Sequence, residues 1–537
     1  MTPEAHLQSA NNRKIQRIVI LGGGMTGWTV AAGLANGLSS KPSNKLTNPA
    51  IDILLINNPA QTEIDMHHEP TTPACIAFHQ SLGISEWDLV AKTGASFLLA
   101  TEFEGWSDPQ QQYFMPFSDH GFMLNGIEFS QYVANQHLNG NRLNYDDFSL
   151  AAVAAKKGRF FHPSAQGSSI FSTLQYGLVL NTKRYAEYLR AYSLARGVKE
   201  INAEANEILL DEQRFIKAIG LKGAHAENRT NLVDDKGLLE ADLFIDCSGN
   251  VAELIEKSLQ VEWAGLQNSF PDAVTDSPIT HVVTSVQPLT KGDAIPVSCK
   301  LNNAEAGWVH TSATQTHIER QYYFHRDYLS VELAHEQLGS DASLTRLHEV
   351  RLGRRLKFWH NNCVAIGAAA CNPGALVVGK IHLVQSAVLR LLNLFPAKFN
   401  AVFNPAEYNR LTHLELDHIE DFHALVYRLS KTHSSAYWAK IAETRLTERL
   451  LLKLDSFKNR GFIPYYEGET FSPGCWASLF LGSGIWPQRH DPLIHSMNPE
   501  WIRQQLEKMQ SMMRQAAEQM PLQIDYLQRA QKKTGIN

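Results

Sequence analysis

Three features that assign many proteins to a class are missing from this sequence. Its 537 residues include six cysteines, and no two of them have the CxxC spacing of a zinc or redox site. No uncharged apolar run is long enough to span a bilayer, and polar residues 1–14 lack the apolar segment of a secretory signal. The 49 basic and 54 acidic residues form no block of like charge, so no nucleic-acid partner is expected. These absences predict reduced thiols and a cytoplasmic protein without a membrane segment.

Histidines suggest chemistry at two places, but neither is specific. His67, His68 and Glu69 carry side chains that bind metals, yet a dense triplet without a distant fourth ligand does not define a zinc site. We therefore expect no metal. His310 could act as an acid or a base near neutral pH, although a lone histidine is more often structural.

A glycine-rich turn between an apolar run and a helical segment is the strongest positive signal. Residues 18–21 (IVIL) precede residues 22–28 (GGGMTGW), and small apolar residues follow. In a dinucleotide fold Gly22 permits the tight turn, Gly24 lets the backbone approach phosphate, and Gly27 lets the helix pack closely. The N-terminus of the helix would stabilise the negative charge of the pyrophosphate. The motif predicts an adenine dinucleotide site.

The following segments continue an α/β pattern. A polar insert at residues 40–44 precedes a second strand at 51–56, which ends at Asn57. Dinucleotide folds commonly have Asp or Glu there to bind the adenosine ribose, whereas Asn57 forms hydrogen bonds without the charge. A helix is predicted at 182–192, and a hairpin at 205–210 and 215–221.

Two further strands and a helical region complete the pattern. A strand is predicted at 239–246, where Asp246 either orients the glycine-rich turn or caps the end of the strand. Residues 363–370 predict another buried strand, and the chain is rich in helix from about residue 396. Within that region Ile502, Leu506, Met509 and Met513 recur at helical spacing, which predicts a buried face.

With its segments in this order, the chain resembles the flavin-dependent tryptophan halogenase family over nearly its full length. The matching segments are residues 22–28 (GGGMTGW), 69–73 (EPTTP, where the family has GEATxP), 94–97 (GASF), 240–249 (EADLFIDCSG), 359–367 (WHNNCVAIG), 381–386 (IHLVQS) and 482–487 (GSGIWP). The resemblance implies an α/β, FAD-binding Rossmann-like fold of the flavin monooxygenase and halogenase type, with a helical C-terminal region.

The resemblance also implies a domain organisation. Because the chain is longer than one ordinary core, several packed domains are expected. Residues 1–395 would form an FAD-binding domain, interleaved with a substrate-side subdomain at about residues 95–180 and 260–345. Residues 396–537 would form a helix-rich region packed on the substrate side. The family precedent is a homodimer.

The chemistry of the family divides the work between cofactor and protein. Reduced FAD from a separate flavin reductase, O2 and halide together give hypohalous acid, which travels through a tunnel to a small aromatic substrate such as an indole. A lysine in the tunnel receives the oxidised halogen, and a nearby glutamate assists it or takes up the proton. Two backbone amides beside the flavin hold the halide, and the resemblance places this halide loop at Gly379 and Lys380.

The resemblance further implies which positions contact FAD. They fall at the pyrophosphate, at the adenosine ribose and along the rest of the cofactor. They are Gly22, Gly24, Met25, Thr26 and Gly27 at the pyrophosphate, Asn57 at the ribose, and Thr72, Ala205, Asp246, Ala368 and Ile381 at further positions.

The departures from the family fall on its catalytic positions. Leu98 stands where the family lysine follows Ala-Ser-Phe, and leucine has neither a lone pair nor a proton to give. Val377 stands at the family glutamate, and the WxWxIP signature is reduced to WVHTSA at residues 308–313. Lys380 is a candidate substitute, with a lysine pointing to solvent as the alternative.

Three functions therefore remain open. The first is an FAD enzyme that halogenates or oxygenates an aromatic substrate through an altered site. The second is a flavin monooxygenase or oxidase, in which apolar surroundings at Leu98 and Val377 favour direct transfer of oxygen. The third is a non-catalytic relative that binds flavin or substrate and partners an active paralogue.

Overall fold

A computed structural model of the protein describes most of the chain. The described residues are 14–38, 51–58, 67–222, 233–266, 277–290, 292–339, 345–374, 376–396, 403–430 and 435–534. The polar insert predicted at residues 40–44 lies outside these ranges.

The strands of the described chain all lie before residue 373. In chain order they are β1 (Arg17–Leu21), β2 (Asp52–Asn57), β3 (His68–Pro70), β4 (Ser96–Leu98), β5 (Ala100–Glu104), β6 (Gln112–Pro116), β7 (Gly177–Asn181), β8 (Lys199–Asn202), β9 (Glu204–Leu210), β10 (Ile216–Lys222), β11 (Leu238–Glu240), β12 (Leu243–Asp246), β13 (Trp263–Ala264), β14 (His281–Pro288), β15 (Ser298–Ala304), β16 (Gly307–Ala313), β17 (His317–Phe324), β18 (Thr345–Glu349), β19 (Gly353–Arg355), β20 (Trp359–His360), β21 (Cys363–Ala365) and β22 (Cys371–Asn372).

Helices lie between the strands and form most of the described C-terminal region. In chain order they are α1 (Met25–Leu38), α2 (Pro73–Ser81), α3 (Glu86–Thr93), α4 (Phe129–Leu138), α5 (Leu150–Lys156), α6 (Thr182–Leu194), α7 (Val331–Gln337), α8 (Lys380–Asn393), α9 (Phe403–Leu429), α10 (Ala436–Ile441), α11 (Glu448–Arg460), α12 (Pro473–Gly482), α13 (Pro499–Gln519) and α14 (Gln523–Thr534).

A six-stranded sheet carries the glycine-rich turn. Its strand order is β20-β21-β12-β1-β2-β8, and all neighbouring pairs are parallel except β20 with β21. The apolar residues 18–21 of β1 are buried, as expected of a parallel strand covered on both faces. The predicted α/β fold class is therefore confirmed, and the predicted helix at 182–192 is α6, on which Tyr185 and Leu189 are buried.

Two of the predicted strands differ from the structure. The predicted hairpin is confirmed as antiparallel β9 and β10, but the single strand predicted at 239–246 is two strands, β11 and β12. The chain bends between them because the Asp242 carboxylate accepts the N–H groups of Gln16 and Arg17, at 2.7 and 2.9 Å. The strand predicted at 363–370 ends at Ala365, and a tight turn follows at Gly367, whose φ is +72°.

A second sheet is larger than the first. It has seven strands in the order β18-β14-β17-β16-β15-β5-β6, and its strands come from residues 100–116 and 281–349. All of its neighbouring pairs are antiparallel except β15 with β5. The domain boundaries given above stay a prediction.

The C-terminal helices pack against earlier parts of the chain. The predicted apolar stripe of Ile502, Leu506, Met509 and Met513 is buried on α13. On α14, the buried Gln523 side chain accepts the N–H of Phe97 at 2.6 Å and donates to the carbonyl of Pro296 at 2.8 Å. In the described ranges, no helix is both long and apolar enough to cross a membrane.

Candidate active site

The glycine-rich turn, residues 22–27, has the geometry that a dinucleotide pyrophosphate requires. Gly22 has a φ of +123°, and a Cβ there would overlap the carbonyl of Cys247. A Cβ on Gly27 would overlap the carbonyl of Gly22, so α1 starts in direct contact with the turn. Gly24 differs from both, because a Cβ there would meet no atom within 4 Å. The open side of Gly24 and the free N–H groups of the first turn of α1, which includes Met25 and Thr26, fit a bound phosphate.

Asn57 lies at the carboxyl end of β2, beside the turn. A Cβ on Gly23 would overlap its side-chain amide. The Asn57 Nδ2 donates to Glu200 Oε1 at 3.0 Å and to Asn202 Oδ1 at 3.2 Å. The N–H of Ala203 donates to the Asn57 carbonyl at 3.0 Å, and Ala205 follows two residues later in the chain. The Glu200 carboxylate, which also accepts a hydrogen bond from Arg190 at 2.8 Å, is thus the acidic group beside Asn57, and sequence reasoning missed it.

Asp246 supports the end of a strand rather than the glycine-rich turn itself. Its Oδ1 accepts the N–H and hydroxyl of Ser248 at 3.0 and 2.6 Å, and its Oδ2 accepts the N–H groups of Leu254 and Ile255 at 2.9 and 2.8 Å. Burial raises the pKa of its carboxyl. The contact with the turn is made by the backbone of Cys247, whose carbonyl lies against Gly22.

A cavity of about 910 Å³ lies between Thr26, near the end of the glycine-rich turn, and one face of the seven-stranded sheet. Thr26, Gly367 and Ala368 form its wall on the side of the six-stranded sheet. A Cβ on Gly367 would lie 2.8 Å from the Thr26 side chain, so this wall is continuous with the turn. The opposite wall comes from alternating positions on four strands. Its members include Val282, Thr284, Val286, His310, Gln321, Tyr323 and Arg346.

The loop before α8, residues 376–379, lies between the two walls of the cavity. The Glu69 carboxyl group lies where this loop meets α8. Gly379 precedes α8 and provides no side-chain cap. Instead, Glu69 accepts the N–H groups of Lys380 and Ile381, the latter at 3.3 Å. Burial raises the pKa of Glu69, against the opposing effects of the Lys380 ammonium and of these two hydrogen bonds. One of the two amides of the predicted halide loop is therefore already bound to the carboxyl group of Glu69.

Thr72 forms a polar chain with the start of α8. Its Oγ1 lies 3.0 Å from Nδ1 of His382, and Nε2 of His382 lies 3.5 Å from Oε1 of Glu415. Arg390 donates to Oε2 of Glu415 at 2.6 Å. Burial disfavours the charged form of Glu415, but hydrogen bonds from His382 and Arg390 outweigh it and lower its pKa to about 2. Ile381, next to His382, is fully buried.

The structure does not bring the two vacant catalytic positions to one cavity. Val377 lines the cavity, together with Leu376 and Val378. Leu98 lies outside it and is 1% exposed, in a small apolar cluster with Val179 and Cys299. Lys380 lies at the edge of the cavity and is exposed, so its ammonium borders both the cavity and solvent.

The histidines of this region are not arranged around a metal. Over the described part of the chain, no group of three or more His, Cys, Asp or Glu side chains could hold a metal ion. The ring of His68 is engaged by protein atoms, since its nitrogens lie 3.4 Å from the Ser312 carbonyl and 3.3 Å from the Thr314 hydroxyl. Burial lowers the pKa of His68 to about 4, so its imidazole is neutral near pH 7.

The parallel sheet and the GxGxxG turn define a Rossmann-type dinucleotide-binding fold, and Thr26 of the turn lines the cavity. The sequence model of the tryptophan halogenase family matches residues 17–499. The chain belongs to this family, as its motifs predicted, and the family is flavin-dependent.

Individual relatives cover nearly the whole chain at low identity. Tryptophan 6-halogenase SttH of Streptomyces toxytricini is 24% identical, over 96% of this chain and 98% of that protein. Among solved structures, the flavin-dependent halogenase BrvH from Brevundimonas sp. BAL3 is 27% identical with a TM-score of 0.86, and covers 96% of this chain and 99% of its own. Xcc4156, a flavin-dependent halogenase from Xanthomonas campestris, is 26% identical with a TM-score of 0.85 and the same coverage of both chains.

We predict that Gly24→Ala weakens FAD binding without destabilising the fold. The added methyl group meets no protein atom but occupies the open space beside the turn, where a phosphate would lie. The dissociation constant for FAD, measured by isothermal titration calorimetry, should rise by about tenfold or more. Gly22→Ala is the comparison, and it should lower the melting temperature because of its positive φ and its contact with Cys247. Unchanged FAD affinity in Gly24→Ala would place the pyrophosphate elsewhere.

We also predict that Leu98→Lys destabilises the protein. An ammonium at this position would be buried among Val179, Cys299 and Phe117, so the free energy of unfolding should fall by about 3 kcal/mol. Leu98→Met, which keeps volume and polarity, should cost less than about 1.5 kcal/mol. Urea unfolding of the two variants makes the comparison. Equal stability of the two would mean that the lysine reaches a polar space beside position 98.

Proposed function

We propose that the protein is an FAD-dependent oxidoreductase that uses reduced FAD and O2 to oxidise an aromatic substrate in the cavity described above. The observation that carries this proposal is the continuity of the glycine-rich turn, the Gly367–Ala368 wall and the 910 Å³ cavity. One space thus joins a dinucleotide site to a pocket with apolar and polar walls, the usual composition of a small-molecule site.

The residues around this space suit the parts of the cofactor. Gly22, Gly24 and Gly27, with Met25 and Thr26, would hold the pyrophosphate through backbone N–H groups. Asn57 and Glu200 would meet the adenosine ribose, with Ala205 nearby. Thr72, Ala368 and Ile381 would lie along the rest of the cofactor. FAD, when bound in its reduced form, supplies the electrons that activate O2.

The family resemblance supports further parts of the proposal. A separate flavin reductase would supply the reduced FAD without forming a stable complex, and the protein would form a homodimer. A cytoplasmic location agrees with the six free cysteines, four of which are buried.

A second candidate function is direct oxygen transfer without halide, and the residues at the family's two catalytic positions favour it. The positions of the family lysine and glutamate, Leu98 and Val377, have no group that could receive an oxidised halogen or a proton. The apolar wall of residues 376–378 would instead keep water away from the reacting atoms.

We predict that the product gains one oxygen atom and no halogen. The protein would be mixed with chemically reduced FAD, oxygenated buffer, catalase and indole, with and without sodium bromide. The masses of the products would be measured by mass spectrometry. The oxygenated product should form in equal yield with and without bromide, because no step depends on a halide. Brominated indole as the main product would contradict direct oxygen transfer.

A lysine variant separates the remaining outcomes of this assay. If bromination occurs and is lost in Lys380→Ala but not in the exposed control Lys357→Ala, Lys380 has taken over the role of the family lysine. A protein that neither binds FAD nor forms any product would be a non-catalytic relative, and the proposed function would be wrong.

A further inference from the structure

The buried imidazole of His310 indicates that the cavity binds a ligand. Its side chain lines the cavity and is only 6% exposed. No hydrogen bond of this ring to another described residue is found, in contrast to His68, both of whose nitrogens have protein partners. The ring nitrogens of His310 are therefore left to bind a molecule in the cavity, which would replace the water there.

The register of the sheet sets two polar side chains beside His310. On β17, Gln321 lies directly opposite His310, and on β14, Thr284 lies directly opposite Gln321. Since directly opposite residues project from the same face of a sheet, the three form a polar row, defined here as His310, Gln321 and Thr284. All three line the cavity. The Gln321 Oε1 accepts the Tyr323 hydroxyl at 2.8 Å, which leaves the amide NH2 of Gln321 to donate.

Apolar surfaces surround the polar row. Val282 and Val286 flank Thr284 on the same face of β14, and Leu376 and Val378 lie on the loop across the cavity. A flat molecule between these surfaces would contact hydrocarbon on its faces and the polar row at one edge. Such a pocket fits an aromatic ring with a hydrogen-bonding group on its rim.

The charge state of His310 narrows the kind of group it can bind. Burial lowers the pKa of His310 to about 4, so at pH 7 the ring is neutral and has one N–H donor and one acceptor nitrogen. Three of the charged groups that line the cavity, Glu69, Lys380 and Glu349, lie outside the polar row, whereas Arg346 on β18 lies directly opposite Thr284, at the end of the row away from His310. A neutral imidazole favours an uncharged partner over an anion or a cation.

We propose that His310 determines substrate specificity by accepting a hydrogen bond from an N–H or O–H group on the rim of an uncharged aromatic molecule. Gln321 and Thr284 hold the same edge of the molecule. This assignment rests on the proposed function, since it takes the cavity to be the substrate pocket. His310 therefore acts as a binding and positioning residue.

Indole and indene test this assignment, because they have nearly the same shape and only indole has an N–H group. Their dissociation constants would be measured by calorimetry on the purified protein with FAD added. Without a polar partner, the more hydrophobic indene should bind at least as well as indole. With His310 as the acceptor, we expect indole to bind about five- to tenfold more tightly. Equal affinities, tighter binding of indene, or no binding of either would overturn the proposal.

Three variants identify the residue responsible for the preference. His310→Phe should abolish the preference for indole, and His310→Gln, which retains an acceptor, should keep part of it. His360→Phe is the matched control, because His360 lies on β20 away from the cavity, and it should leave the preference unchanged. A preference that survives in His310→Phe, with a melting temperature near that of wild type, would contradict the proposal. If His310→Phe is unfolded, retention of the full preference in a His310→Ala variant that folds would contradict it equally.

The outcomes also separate this proposal from the proposed function. Preference for indole over indene without any oxidised product would support the role of His310 and contradict the proposed function. Equal binding and equal oxidation of indole and indene would support the proposed function and contradict the role of His310.

Discussion

The site depends on the close approach of three backbone segments at the carboxyl ends of parallel strands. The turn after β1, the end of β12 and the start of α1 are so close that a Cβ at Gly22 or Gly27 would overlap a carbonyl group. The N–H groups at the start of α1 can face a phosphate only because these two positions lack side chains. The wall of the cavity follows from the same constraint, since β21 is the neighbour of β12 and its end brings Gly367 against Thr26.

The other half of the site is built on different chemistry from that expected of the family. Leu98 closes an apolar cluster, and Val377 forms part of an apolar wall. These two residues stand in place of the two reactive groups of the family. The glycine-rich turn does not depend on either of them. The structure thus allows the cofactor site to persist while the reaction at the other end of the cavity changes.

Much of the fold could be predicted from the sequence, because it rests on local patterns. The apolar run of β1, the glycine spacing and the helical stripe on α13 each extend over a few consecutive residues. The strand predicted at 239–246 failed for a non-local reason, because Asp242 binds backbone groups more than two hundred residues away. Such a contact leaves no mark in the neighbouring sequence.

The site was predicted less completely, because it too depends on contacts between residues that are far apart in the sequence. Glu69 was considered with His67 and His68 as a metal ligand, whereas its actual partners are backbone amides more than three hundred residues later in the chain. The polar row depends on the register of β14, β16 and β17, which a single sequence does not reveal. The support of Asn57 by Glu200 likewise requires that β2 and β8 be neighbours.

The central claim is that this chain retains a working FAD site although the catalytic lysine and glutamate of its family are absent. The most direct test is a titration of the purified wild-type protein with FAD, followed by calorimetry and by the visible absorption of the flavin. The account predicts saturable binding of one FAD per chain, with a shifted flavin spectrum that reports a ring removed from water. A titration with neither heat of binding nor a change in the spectrum would contradict it.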